Sequence, residues 1–166
     1  MLVESCGYVL AVSTSTVEPS RDSDRPRPTV AVAESLTGGL LCSRFARQEG
    51  ASDWFRGGVV SYARMTKERL LGIGDAPVVS EAAARFMAAR VAELLSADVA
   101  IAVTGVGGPD PEDGIPPGTV WIATYSLGET EAHMFRFDGD PTDVCDQTCD
   151  VAESLLQARL GRDTRR

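Results

Sequence analysis

Short apolar runs alternate with segments of helical periodicity along most of this chain. Apolar or alternating runs predict strands, and apolar residues that recur every three or four positions predict helices. The predicted strands are residues 29–33, 57–62, 98–105, 119–126 and 131–139, and the predicted helices are residues 36–48, 64–73, 81–97 and a last one that begins at Asp140 and Pro141. This order predicts a single-domain three-layer α/β/α sandwich with a mixed, largely parallel sheet, whose last two strands form an antiparallel hairpin around Gly128.

Apolar side chains at helical spacing predict which helix faces are buried. The predicted buried residues are Leu40, Leu41 and Phe45 in the first helix, Phe86, Met87, Val91, Leu94 and Leu95 in the helix that Ser80 caps, and Val144, Thr148, Val151, Leu155 and Leu156 in the last. These stripes predict helices that pack against a sheet.

The start of the chain differs from the rest in composition. Residues 13–28 are polar and broken by prolines, as in a flexible connector, and residues 7–12 could form a short strand or a loosely packed arm. We therefore divide the chain into an N-terminal arm and flexible connector, residues 1–28, and an ordered domain, residues 29–166.

Charge and composition exclude several classes of function. The formal net charge of -8 argues against binding to nucleic acid or to an anionic membrane surface. No apolar run approaches the ~20 residues of a membrane span, and residues 1–12 lack the Lys or Arg of a signal peptide, so we expect a cytoplasmic protein. Its four cysteines, Cys6, Cys42, Cys145 and Cys149, form no CxxC motif, and with the single His133 they provide no recognisable metal-binding set.

The stretch VAVAESLTGGLL, residues 30–41, runs from a predicted strand into a predicted helix. Helix starts present unpaired N–H groups that can bind an anion or stabilise an oxyanion. Gly38 and Gly39 would let a ligand approach the backbone, and Ser35 could supply a nucleophilic hydroxyl there. The alternative is that Ser35 or Thr37 only caps the helix.

Lys67 is the only lysine in the chain and follows Tyr62, at the end of a predicted strand. A buried lysine with a lowered pKa can act as the base for a serine nucleophile, and the hydroxyl of Tyr62 could orient it or relay a proton. His133, in the middle of a predicted strand, is a poor candidate for that base. An ordinary solvated lysine on a helix is the alternative for Lys67, and a tyrosine packed with its hydroxyl in water is the alternative for Tyr62.

A third strand, residues 98–105, ends at Thr104 and runs into the loop 106–118. A loop of this length without secondary structure is more often functional than idle. The carboxyl ends of strands in an α/β sheet are where ligands bind, so this loop and the segments after residues 33 and 62 predict one site.

Four blocks of sequence, in order and spacing, resemble the CinA C-terminal domain family of nicotinamide mononucleotide amidohydrolases. They are AESLTGGLL, GASDWFRGGVVSYARMTKERLLGI, VTGVGGPDPEDGIPPGTVWIA and FDGD, and the resemblance covers about residues 29–160. It implies a metal-free and cofactor-free amidase of NAD salvage that converts nicotinamide mononucleotide and water to nicotinate mononucleotide and ammonia. It also implies a pyridine nucleotide as the small-molecule partner and a homodimer or higher homo-oligomer.

The resemblance also implies roles for residues of this chain. Ser35 is similar to the family's nucleophile, Lys67 to its general base and Tyr62 to a catalytic supporting group. The residues implied to frame the substrate are Thr37, Gly38, Gly39, Thr104, Gly105 and Gly108.

The chain departs from the family pattern at two places. Where many members have KPVGT, residues 115–119 read IPPGT, so the lysine is absent. Where members place arginines at the start of the last helix, this chain has Pro141, Cys145 and Asp146. Arg56, Arg64 or Arg136 could compensate for the lost phosphate partners. The alternatives are a non-catalytic nucleotide-binding or regulatory module and an amidase for a different small amide.

Overall fold

The computed structural model describes residues 2–5, 8–11 and 27–163. Most of the connector predicted at residues 13–28 lies outside the described residues. Residues 8–11 form a strand, within the range where a short strand was considered, and residues 2–5 form another that was not predicted.

Seven strands and five helices make up the described chain. The strands are β1 (Leu2–Ser5), β2 (Tyr8–Ala11), β3 (Val30–Glu34), β4 (Phe55–Val60), β5 (Val99–Gly105), β6 (Thr119–Ser126) and β7 (Glu129–Arg136). The helices are α1 (Leu40–Ala46), α2 (Ala51–Trp54), α3 (Arg64–Leu71), α4 (Glu81–Leu94) and α5 (Pro141–Asp163). The short helix α2 was not predicted.

All seven strands form one sheet in the order β2-β1-β7-β6-β5-β3-β4. β3 pairs in parallel with β4 and with β5, and the other pairings are antiparallel. The predicted mixed sheet is confirmed, with a smaller parallel part than we expected. The reason is connectivity, because helices link β3 to β4 and β4 to β5, whereas a loop and a hairpin join β5, β6 and β7.

Helices cover both faces of the sheet, which gives the predicted three layers. Large side chains of β3 and β5, such as Val32 and Ile101, pack with Phe45 of α1 and Leu156 of α5 on one face. On the other face the strands present alanines, and α3 and α4 pack on them. Side chains alternate between the two faces along each strand, so one face carries the large side chains and the other carries the alanines. Each face therefore packs with a different set of helices.

The buried faces of the helices agree with the predictions except in α4. Phe86 and Leu94 are 51% and 41% exposed, so their assignment to the buried stripe was wrong. The face of α4 that packs against the sheet consists mainly of small residues, namely Ala83, Ala84, Met87, Ala88, Val91 and Ala92. The alanine-rich face of α4 packs closely on the alanines of β3 and β5. This close packing determines how α4 is rotated about its own axis.

β3, β4 and β5 run in the same direction, and all three end at one edge of the sheet. β6 begins there, and β7 ends there, because Gly105 pairs with Val120 and Thr119 pairs with Arg136. We call this edge the carboxyl end of the sheet. No helix in the described part of the chain is long and apolar enough to cross a membrane.

Candidate active site

Glu34, the last residue of β3, is completely buried at the carboxyl end of the sheet. Its Oε2 accepts hydrogen bonds from the hydroxyl of Thr37 (2.7 Å) and from the backbone N–H groups of Gly39 (3.0 Å) and Leu41 (3.1 Å). Its Oε1 accepts from the backbone N–H of Cys42 (2.8 Å). One carboxylate therefore satisfies donors at the start of α1 that would otherwise have no partner inside the helix.

Gly38 and Gly39 form the turn that makes this arrangement possible. Their φ angles are +57° and +106°, in the left-handed region that favours glycine. α1 begins only at Leu40, and Gly39 occupies the N-cap position without a side-chain hydrogen bond. The alternative that Ser35 or Thr37 caps the helix is therefore wrong. At the helix start, where we expected N–H groups to face a ligand, those of Gly39, Leu41 and Cys42 donate to Glu34.

Ser35 directly follows β3 and is 7% exposed. Side chains alternate along a strand, so Ser35 is expected on the same face as Ala33, the face that α3 and α4 cover. Ser61, directly after β4, donates to the carbonyl of Glu34 from its backbone N–H (2.7 Å) and from its hydroxyl (3.0 Å). These bonds fix the segment after β4 beside the residue that precedes Ser35.

Lys67 lies on the buried side of α3, with Leu71 one turn further along. Its side chain is 3% exposed, and its Nζ donates to the carbonyl of Tyr62 (3.1 Å). Burial lowers the pKa of Lys67, because the charged ammonium loses hydration, and the carboxylate of Glu112 acts in the opposite direction. Ser35 and Lys67 thus follow adjacent parallel strands at the same end of the sheet, and the alternation of side chains predicts Ser35 on the side of the sheet that α3 covers.

Tyr62 contributes differently from our expectation. Its side chain is 74% exposed, whereas its backbone carbonyl holds the ammonium of Lys67. The predicted catalytic role of the Tyr62 hydroxyl stays a prediction. The segment between β4 and α3 is short, and its first residue, Ser61, is bonded to the carbonyl of Glu34.

Thr104, Gly105 and Gly108 each have a structural feature within the fold. The hydroxyl of Thr104, which is 1% exposed, donates to the carbonyl of Val78 (2.6 Å) in the segment before α4. A Cβ on Gly105 would lie 2.6 Å from the carbonyl oxygen of Thr119, so packing of β5 on β6 explains this glycine. Gly108 has a φ of +97°. Their predicted role in substrate binding stays a prediction.

The start of α5 closes the site from the other face of the sheet. Cys145 donates from its Sγ to the carbonyl of Leu36 (3.3 Å), next to Ser35. Oδ1 of Asp140 accepts the backbone N–H groups of Thr142 (2.8 Å) and Asp143 (3.0 Å), so α5 is capped by its own chain.

Sequence reasoning missed Glu34, although a carboxylate between a buried strand and a glycine turn is a signal for such a contact.

The thiols near this site are not joined to one another. Cys42, Cys145 and Cys149 are free, and burial raises the pKa of each of them. Within the ranges that the structure describes, no group of three or more His, Cys, Asp or Glu side chains is placed to hold a metal ion. The predicted absence of a metal stays a prediction.

Comparison with protein families gives one match over most of the chain, to the CinA C-terminal domain over residues 18–160. A competence-damage inducible protein of Geobacillus kaustophilus is 48% identical over 117 residues, which cover 67% of this chain and 28% of that protein. One from Bacillus velezensis is 40% identical over 121 residues, 70% of this chain and 29% of that protein. The chain thus spans less than a third of the length of these relatives.

Solved structures of similar proteins have the same fold. A CinA superfamily protein from Klebsiella pneumoniae superposes with a TM-score of 0.78 at 33% identity, over 82% of this chain and 89% of that one. A competence/damage inducible protein from Agrobacterium tumefaciens gives a TM-score of 0.75 at 31% identity, over 81% of this chain and 86% of that one.

Proposed function

The chain belongs to the CinA C-terminal domain family, and from that premise we propose that it is a metal-independent amidohydrolase of NAD salvage in the cytoplasm. It would convert nicotinamide mononucleotide, or a related pyridine nucleotide, and water to the corresponding acid and ammonia. Ser35 would be the nucleophile and Lys67 the general base. The observation that supports this proposal is the burial of Lys67 in the helix that follows β4, at the end of the sheet where β3 leads into Ser35.

A buried lysine provides the base that a serine needs. Lys67 is 3% exposed, and within the described residues its amine donates one hydrogen bond, to the carbonyl of Tyr62. Because burial lowers its pKa, a larger share of the amine is unprotonated near neutral pH than for a lysine in water. An unprotonated amine can remove the proton of a hydroxyl within hydrogen-bond reach.

The reaction would proceed in two halves. In the first, Oγ of Ser35 attacks the carboxamide carbon while its proton passes to the amine of Lys67, and the resulting tetrahedral intermediate loses ammonia, which takes that proton. In the second half, water attacks the ester so formed and gives a proton to Lys67. The C–O bond to Ser35 then breaks, the proton on Lys67 returns to Oγ, and the carboxylic acid product leaves and gives up its proton to the solvent. A positively charged pyridinium would assist both attacks by withdrawing electrons from the carbonyl.

The surrounding hydrogen bonds support this division of roles. Glu34 fixes the turn after Ser35 through four hydrogen bonds, and Ser61 joins the two strand ends. The carbonyl of Tyr62 positions Nζ of Lys67. Such preorganisation would help to hold the proposed nucleophile and base in place.

Ammonia release tests the proposal. We expect the wild type to release ammonia from nicotinamide mononucleotide or its nucleoside, and kcat/KM to rise with pH through the lowered pKa of Lys67. Ser35→Ala and Lys67→Ala should each reduce kcat/KM by a factor of about 10³ or more. Ser52→Ala and Arg69→Ala, at exposed positions, serve as matched controls.

Two results would contradict this proposal. Turnover that survives Ser35→Ala would remove the assignment of the nucleophile. Thermal stabilisation by the ligand without release of ammonia would favour a non-catalytic nucleotide-binding or regulatory module.

Membership of the family also leads us to propose a homodimer or a higher homo-oligomer. β4 lies at the edge of the sheet and has a strand partner on one side only among the described residues, and such an edge is a possible site of pairing with a second chain. Light scattering of the purified protein measures its mass, and a strictly monomeric mass would contradict this expectation.

A further inference from the structure

The chain turns directly after Ser35, and the hydrogen bonds of this turn leave two backbone donors unused. The carbonyl of Ser35 accepts the N–H of Gly38 (3.1 Å), which closes a β-turn with Leu36 and Thr37 as its central residues. The carbonyl of Thr37 accepts the N–H of Leu40 (2.9 Å), so a second turn follows. Within the residues that the structure describes, the N–H groups of Leu36 and Thr37 donate to no acceptor.

The carboxylate of Glu34 satisfies donors further along the chain and not these two. It accepts the backbone N–H groups of Gly39, Leu41 and Cys42. Glu34 directly precedes Ser35, so the alternation of side chains directs its carboxylate to the face of the sheet opposite to the face expected for Ser35. The start of α1 is therefore satisfied from one face, and the two N–H groups of the turn remain available beside Ser35.

Burial makes two unused donors unusual at this position. Ser35 and Thr37 are 7% and 6% exposed, and Leu36 is partly buried and packs against the core. Turns at a protein surface donate their N–H groups to water, whereas buried backbone N–H groups without a partner are rare. Successive N–H groups in a turn form a concave site that suits an anion.

Contacts on both central residues hold the turn in place without using these donors. The carbonyl of Leu36 accepts a hydrogen bond from Sγ of Cys145 (3.3 Å). The hydroxyl of Thr37 donates to Oε2 of Glu34 (2.7 Å). Donors that are fixed before the reaction need no reorganisation when negative charge develops, and this property makes them effective in stabilising an oxyanion.

We propose that the backbone N–H groups of Leu36 and Thr37 form the oxyanion hole of this site. The inference rests on the amidohydrolase proposed above. Both residues precede the N-cap Gly39, so the donors belong to the turn and not to α1. Where a turn at a strand end presents a nucleophile, the N–H of the next residue is a typical oxyanion donor, and that residue is Leu36 here.

The two donors act on the carbonyl oxygen of the substrate. When Oγ of Ser35 attacks the carboxamide carbon, an electron pair of the C=O bond moves to that oxygen, which accepts both hydrogen bonds. The pair returns and C=O forms again when the C–N bond breaks and ammonia leaves. The same two donors serve the second half of the reaction, in which water attacks the ester.

Replacing single N–H groups tests the assignment. An ester in place of the peptide bond before Leu36 exchanges its N–H for an oxygen atom and retains the leucine side chain. We expect kcat for ammonia release to fall by a factor of about 10²–10³, with little change in KM, and a similar fall for the same exchange at Thr37. Leu36→Pro removes the same N–H with a natural residue, and its Tm shows whether the fold is retained.

Leu40 provides the matched control. Its N–H belongs to the same segment but is bonded to the carbonyl of Thr37, and it is the first residue of α1, where proline is tolerated. An ester before Leu40, or Leu40→Pro, should lower Tm while kcat stays within about threefold of the wild type. A loss of kcat with this control as large as that at Leu36 would overturn the inference, because the turn would then act only through its structure.

Pyridine-3-boronic acid gives a readout that does not need turnover. Oγ of Ser35 bonds to boron and its proton passes to Lys67, so the boron becomes tetrahedral and negatively charged, as the carbon does in the reaction. The affinity should fall at least about tenfold with the ester before Leu36 and stay within about threefold with the ester before Leu40. A crystal structure of the adduct should place one boronate oxygen about 2.7–3.1 Å from the backbone nitrogens of Leu36 and Thr37.

The outcomes separate this inference from the proposed activity. Ammonia release that keeps its kcat with both esters of the turn would overturn the inference and leave the amidohydrolase in place. An adduct on Ser35 whose boronate oxygens all lie more than about 3.5 Å from both nitrogens would do the same. Absence of both ammonia release and adduct would overturn the proposed function, and the inference would fall with it.

Discussion

Two charged side chains are buried at the carboxyl end of the sheet, Glu34 at the end of β3 and Lys67 in the helix after β4, and their hydrogen bonds satisfy them to different extents. Glu34 is 0% exposed and accepts four hydrogen bonds from the turn and the start of α1. Lys67 is 3% exposed and donates one hydrogen bond, to the carbonyl of Tyr62. The two strands are adjacent and parallel, so the contrast arises from the connecting segments and not from the sheet.

This contrast separates a structural charge from a reactive one. A buried carboxylate with several donors recovers the hydration that it lost, and it organises the backbone around it. A buried ammonium with one hydrogen-bond acceptor recovers less of the hydration that it lost on burial. The charged form is therefore disfavoured, and the pKa of Lys67 falls. Groups of the second kind are typical of functional sites, because their protonation changes near neutral pH.

The largest effect is expected from removing Glu34. Glu34→Ala would leave the N–H groups of Gly39, Leu41 and Cys42 and the hydroxyl of Thr37 without their acceptor. We expect the free energy of unfolding, measured with urea, to fall by about 3–5 kcal/mol. Glu34→Gln retains one acceptor oxygen and should cost less.

Glu68→Ala is the matched control for that measurement. Glu68 lies on α3 and pairs with Arg64 at the surface, so its removal should cost about 0.5 kcal/mol or less. If Glu34→Ala costs no more than this control, the carboxylate does not hold the turn, and the contrast between the two segments fails.

A smaller effect of opposite sign is expected at Lys67. Lys67→Met fills the same space without a charge, so at pH 7 it should raise the free energy of unfolding by about 1 kcal/mol, which is a few degrees in Tm. Activity should be lost at the same time. Lys67→Arg keeps a charge that cannot be lost and should lower Tm.

The pH dependence of the free energy of unfolding tests whether the buried charge of Lys67 is the reason for the expected gain in stability of Lys67→Met. The pKa of Lys67 is lower in the folded protein than its ordinary value of 10.5, so between the two values only the unfolded chain holds the proton. Wild-type stability therefore rises with pH through that window, and the advantage of Lys67→Met should disappear above about pH 10.5. A lower Tm for Lys67→Met at pH 7 would mean that the bond to the Tyr62 carbonyl outweighs the cost of burial.

The sequence was sufficient for elements whose signals are local. Residues 119–126 form β6 as predicted, and the predicted cap of α4 is present, because the hydroxyl of Ser80 accepts the N–H of Ala83 (3.1 Å). The positions of Ser35 and Lys67 at one end of the sheet follow from parallel pairing of β3 and β4, which the helical connections between them indicate.

Other features depend on contacts that no local pattern contains. α1 begins four residues later than predicted, because Gly38 and Gly39 turn the chain toward a carboxylate at the end of the preceding strand. Exposure of Phe86 follows from the close packing of an alanine-rich face, since periodicity alone cannot choose between neighbouring stripes.

The smallest effect on activity and stability is expected from changing the side chain of Tyr62, the residue whose backbone carbonyl is bonded to Lys67. This change sharpens the contrast between Glu34 and Lys67. The carbonyl of this residue holds Lys67, and its side chain is 74% exposed, so Tyr62→Phe retains the contact that the structure shows. We expect kcat/KM for ammonia release to change by less than about twofold, with stability within about 0.5 kcal/mol. Tyr62→Gly, which keeps the carbonyl but loosens the backbone that carries it, should reduce kcat/KM further. A loss of kcat/KM in Tyr62→Phe as large as that in Ser35→Ala would instead assign a catalytic role to the Tyr62 hydroxyl, because tyrosine and phenylalanine differ only in that hydroxyl.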